Sequence, residues 1–148
     1  MSVDMSATGS SIIRVFCRIL LLLVLGVAVK IAFTPGGLNL AHYTPNQFFR
    51  DVGLPYEFIL AYEVHFHLFL HFIVACTVTL LIYAAKVFSR YSASKRVVYS
   101  VCVTTTFAIA AEVIQSSIGR NAEAVDLLMA GLGVLTAVFI LLKVVVLR

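Results

Sequence analysis

The sequence predicts an all-α, polytopic membrane protein: a four-transmembrane-helix bundle with both termini cytoplasmic. Three observations predict it. The 148-residue chain is 61% hydrophobic and only 12% charged, far more apolar than soluble globular domains. It holds four apolar runs of about 20 residues, the length of helix that crosses about 30 Å of hydrocarbon. Its Lys and Arg residues gather at one set of ends of those runs. The length suits a single integral membrane domain over residues 1–148.

Residues 1–11 are small and polar and are expected to fray. The first span is expected over residues 12–33, where Arg14 and Arg18 precede the apolar run Leu20–Leu25. That order resembles a signal peptide, but the apolar stretch is too long and no A-x-A-like site follows, so a retained helix is expected. Residues 34–56 form a loop rich in Pro and Gly. Within it, Thr44-Pro45-Asn46-Gln47 has the form of a capping box, with Pro45 at the first helical position and Gly53 as a stop. Phe48, Phe49 and Val52 would give such a helix an apolar edge suited to the bilayer surface; an irregular loop is the alternative. The second span is expected over residues 62–85, and a basic turn with Lys86, Arg90, Lys95 and Arg96 follows. The third covers 97–116, and a turn at Gly119-Arg120-Asn121 leads to the fourth, 124–147.

Charge sets the orientation. One side carries Arg14, Arg18, Lys86, Arg90, Lys95, Arg96, Lys143 and Arg148, the other only Lys30, Arg50 and Arg120. The excess of positive charge marks the cytoplasmic side, which places both termini inside. Asp51, Glu57, Glu63, Glu112, Glu123 and Asp126 then fall toward the outside. The net charge of +4 is thus a signature of topology, and no phosphate loop, zinc spacing or RNA-binding motif points to nucleic acid. Cys17, Cys76 and Cys102 lie in or beside apolar runs without CxxC spacing and are expected to pack as small hydrophobes.

Polar residues in the outer half of the spans mark a candidate site, because ionisable groups at membrane depth are costly. Glu63, His67 and His71 are spaced i, i+4, i+8 and share one helical face. The stripe descends about 12 Å at 1.5 Å per residue. His65 falls on the opposite side. Glu112 and Gln115 share a face near the end of the third span, where the negative end of the helix dipole disfavours a bare carboxylate. Arg120 in the following turn is its expected partner, and Asp126 in the first turn of the fourth span would share the guanidinium fork. Below Asp126, Ala130, Gly133 and Ala137 are small enough for close helix approach, which suggests a tight hairpin of spans three and four. An ion-paired staple is the simplest use of Glu112, Arg120 and Asp126. The histidines exceed what a staple needs, and convergent polar groups in an apolar wall are the expected form of a site.

The pattern Glu112-x-x-Gln115, then Arg120, Asp126 and Gly133, resembles the VanZ-like family of small bacterial membrane proteins. Glu63 and His67 match the acidic and histidine positions of that family's earlier acidic-Lys-x-x-His element, and the likeness covers most of residues 57–140. The lysine position is Val64, the asparagine position is Ala130, and the acidic residue is Glu in place of the usual Asp. Roles that need that ammonium or amide do not carry over. The resemblance implies a cell-envelope protein of the bacterial cytoplasmic (inner) membrane, with a teicoplanin-resistance-type role or an association with exopolysaccharide assembly.

Two classes of function follow for the outward pocket. In the first it binds and modifies an envelope component: a lipid-linked sugar, a lipid head group or a glycopeptide. Glu63, His67 and Glu112 are the candidate catalytic residues, supplying acid and base. Gln115, Arg120, Asp126 and His71 are the candidate ligand-binding residues, Arg120 suiting a phosphate or carboxylate. In the second class the chain is a non-catalytic accessory or binding subunit of envelope or exopolysaccharide assembly and export. A transporter ranks third, because no inverted repeat or broken helix is detectable. A homo-oligomer would use the small-residue face around Ala130 and Gly133; an envelope-assembly partner is the other protein candidate, beside the lipid bilayer itself. No cofactor is expected. His67, His71 and Glu63 on a single helix are weak grounds for a metal ion, so none is expected either.

Overall fold

The computed structural model describes residues 5–33, 52–53, 56–117 and 124–146, with side chains over 11–30, 52–53, 65–117 and 124–145. Among the described residues the chain is all-helical, with α1 (Met5–Phe33), α2 (Tyr56–Ala84), α3 (Ala93–Ser117) and α4 (Ala124–Val146). All four are long and apolar enough to cross a membrane. The helix expected near Thr44 lies outside the described residues. At its expected stop, Val52 and Gly53 form a turn, with Gly53 at φ 77°, where a Cβ would be strained.

The helices run alternately up and down. Arg18 Nε donates to the Ala85 carbonyl at 3.2 Å, tying the first half of α1 to the end of α2. Leu21 packs on Val78, Leu81 and Ile82, which continues the antiparallel pairing. Arg14 and Arg18 of α1, the basic residues of the α2–α3 turn and Lys143 near the end of α4 therefore share one end of the bundle. His67, Glu112, Gln115 and Asp126 lie in its other half.

That turn is built by local chemistry. Lys86 N–H donates to the Tyr83 carbonyl at 3.2 Å and Val87 N–H to Ile82 at 3.5 Å. These bonds close a Schellman motif on α2, with Lys86 in the left-handed position at φ 50°. Ser92 then stands before α3, its carbonyl accepting from Arg96 N–H at 2.9 Å.

α2 packs against the other three helices, and most extensively against α4. The cause is the stripe Ala130, Gly133 and Ala137, buried on α4. A Cβ on Gly133 would collide with the Phe72 carbonyl oxygen and stand 3.1 Å from the Cys76 nitrogen. Backbone thus meets backbone, as small residues allow. The sequence led us to expect this stripe at an α3–α4 hairpin, but α2 fills it. Closeness in sequence makes α3 and α4 neighbours without deciding which face of α4 is covered. On the outside, Ile12, Phe16, Leu22, Leu128, Leu135 and Phe139 are each at least 60% exposed. In water such a surface would be a liability; against acyl chains it is not.

Candidate functional site: a polar cluster in an apolar cavity

Helical periodicity assembles the site. On α2, His67, His71, Ala75 and Val78 follow one face; on α3, Thr104, Ala108, Glu112 and Gln115 do the same; α4 adds Asp126 and Ala130. These faces enclose a cavity of about 330 Å³, walled on its remaining side by Leu23, Val24, Val27 and Ala28 of α1. The wall is apolar over most of its extent, and the polar groups gather in one half.

Asp126 is the most buried member, at 2% exposure. It lies in the first turn of α4, where the positive end of the helix dipole favours a carboxylate. Its Oδ1 is 3.4 Å from His67 Nδ1 and its Oδ2 is 3.6 Å from His71 Nε2. The two imidazoles face each other, Nε2 to Nε2, at 3.3 Å, with their rings edge-on at 77°. Among the described residues no hydrogen bond reaches Asp126 Oδ1. Glu112 and Gln115 are also buried, and both line the cavity.

Five of the sequence-derived candidates therefore meet at one cavity: His67, His71, Glu112, Gln115 and Asp126. His65 is exposed, away from it. Glu63 belongs to α2, but its side chain lies outside the described residues, as does Arg120. The sequence reading joined Asp126 to Glu112 through Arg120. The structure pairs Asp126 with the histidines of α2, and that link was missed. One signal pointed to it: Asp126 shares the stripe of Ala130 and Gly133, so any helix seated on those residues meets Asp126 as well.

A second polar pair also escaped notice. The Thr79 hydroxyl donates to the Ala75 carbonyl at 2.8 Å and hydrogen-bonds the Thr104 hydroxyl at 3.1 Å. Both are buried.

No family model matches this chain. No curated protein and no solved structure matches it either. The likeness to VanZ-like proteins rests on the residue pattern alone.

Proposed function

We propose that the chain is a VanZ-like multi-pass protein of the bacterial cytoplasmic membrane, termini inside, whose outward pocket binds an envelope component that carries a lipid tail. A lipid-linked sugar and a phospholipid head group are the two forms of that component. The carrying observation is the division of the cavity: His67, His71, Glu112 and Asp126 at one part, and the α1 wall of Leu23, Val24 and Val27 along another. This is the shape an amphiphile requires, with its head at the polar cluster and its chain against α1. The volume supports the same choice. A cavity near 330 Å³ stands at the lower end of ligand pockets, which run about 300–1,000 Å³, and is too small to enclose a glycopeptide. A teicoplanin-resistance-type role would then act through the lipid-borne component.

The separation of the basic turn from the histidine cluster supports the orientation, since basic ends mark the cytoplasmic side. His67 with Glu112 provides acid and base for modification of the bound head group. The non-catalytic reading, an accessory subunit of envelope or exopolysaccharide assembly, uses the same groups for recognition alone. Val64 and Ala130, which replace the lysine and asparagine of the family pattern, favour it.

The test is mass spectrometry of lipids that co-purify with wild type and with Ala111→Phe, which fills the cavity. The expected result is a defined lipid class on wild type and its loss from the variant. The same lipids on both would contradict the reading. Incubating the bound lipid with wild type or His67→Gln then separates modification from recognition.

A further inference from the structure

We propose that His67, His71 and Asp126 form a binding site for one divalent transition-metal ion of the zinc class, with its open coordination position facing the cavity. The inference stands on the side-chain cluster and does not require the lipid reading above.

The donor atoms carry the argument. One nitrogen from each imidazole and one oxygen of Asp126 lie within 4.8 Å of one another. His71 Nε2 is at the centre of the group, 3.3 Å from His67 Nε2 and 3.6 Å from Asp126 Oδ2. Ligands bound tetrahedrally to zinc at about 2.0–2.1 Å stand about 3.3–3.4 Å apart. Two edges of the triangle are therefore near their metal-bound lengths. The third closes by rotation of the Asp126 carboxylate or the His67 ring.

Protons serve this arrangement poorly. A single hydrogen on His71 Nε2 is divided between His67 Nε2 at 3.3 Å and Asp126 Oδ2 at 3.6 Å. Moved to His67, it leaves two acceptors, His71 Nε2 and Asp126 Oδ2, facing each other. One cation satisfies all three atoms. Asp126 Oδ1, buried, lies 3.4 Å from His67 Nδ1, so both carboxylate oxygens face the cluster.

Donor type selects the ion. Two imidazoles and a carboxylate suit zinc, cobalt or nickel, whereas magnesium and calcium take oxygen ligands. The i, i+4 histidine pair on one helix is the spacing by which helical metal sites present two ligands on one face. Three protein ligands with a free fourth position is the form of a catalytic zinc site, not of a closed structural one. Here the fourth position opens on the cavity lined by Glu112 and Gln115.

The experiment uses the full chain in detergent, purified through an affinity tag without histidines and stripped with chelator. It is then loaded with Zn(II) or Co(II), gel-filtered and analysed for metal. Wild type and His65→Ala should each retain about one ion per chain, and Co(II) should give the intense visible bands of tetrahedral sites. His71→Ala and Asp126→Ala should bind at least about tenfold more weakly. His71→Cys keeps a donor, so it should retain Co(II) and add a near-ultraviolet thiolate charge-transfer band, which only a direct ligand produces. Wild type emerging without stoichiometric metal would overturn the proposal whatever the variants do. So would undiminished binding by both alanine variants, or Co(II) retained by His71→Cys without the thiolate band.

Discussion

Two polar layers cross this bundle, and they are built differently. In one, nearer the basic end of the bundle and labelled inner for that reason, Thr79 and Thr104 are buried, and the Thr79 hydroxyl is shared between the Ala75 carbonyl and Thr104. The layer pairs with itself: the Thr79 and Thr104 hydroxyls meet across two helices, with Thr104 at the edge of the cavity. In the outer layer, Asp126, His67, His71, Glu112 and Gln115 gather around a cavity, with contacts of 3.3 to 3.6 Å among the first three. A polar pair that closes on itself acts as glue between helices. Polar groups set around a space act on whatever enters it. The first is expected to govern stability and the second function.

The sharpest way to break the comparison is to disturb both layers at once. Gly133 lies on α4 between them, against the backbone of Phe72 and Cys76. Overpacking typically costs about 1–3 kcal/mol, and backbone yields less than side chains do. Gly133→Ala should therefore cost about 1–3 kcal/mol and Gly133→Leu more, read as unfolding in detergent with increasing denaturant. Both should also weaken metal retention by separating Asp126 from the histidines. A neutral Gly133→Leu would show that α4 does not seat on α2 as described.

The contrast also shows what the sequence made legible. Four apolar runs led to four helices, and those helices are present among the described residues. The candidate residues were legible one helix at a time, because i, i+4 spacing assigns His67 to the face of His71 and Glu112 to that of Gln115. The partnership across helices was not legible. A turn at Gly119–Asn121 suggested α3 and α4 as the close pair, whereas the small stripe of α4 took α2. That choice depends on three-dimensional packing among Phe72, Cys76 and Gly133, which no local pattern encodes. The Thr79–Thr104 pair was hidden for the same reason, since a threonine in an apolar span most often bonds its own helix, as Thr136 bonds Leu132 here.

The inner layer can be probed on its own. Thr79→Val removes the hydroxyl that Thr104 shares, and leaving a buried polar group short of a partner costs about 1–3 kcal/mol. Thr79→Val together with Thr104→Val should cost less than the sum of the two single losses, because both polar groups are then gone. A double-mutant cycle measures the coupling, which averages about 0.6 kcal/mol between membrane helices. Additive losses would mean the two hydroxyls do not act as a pair. Metal retention should be unaffected by Thr79→Val, since Thr79 lies outside the cluster.

A smaller effect is expected at the basic end. Arg18→Gln removes the bond to the Ala85 carbonyl and should cost about 0.5–1.5 kcal/mol. Arg18→Gln with the stability of wild type, measured by the same denaturation, would show that the Ala85 bond contributes nothing.

The most direct test of the two-layer account is the melting temperature of chelator-stripped wild type beside Asp126→Asn, in the same detergent. If the outer layer is held for function, the variant should melt at the same temperature or higher, as removal of a functional charge often allows. If Asp126 with the histidines is a structural ion pair, orphaning its partners should cost about 3–5 kcal/mol. A fall in melting temperature of that size would contradict the account and make the outer layer glue like the inner one.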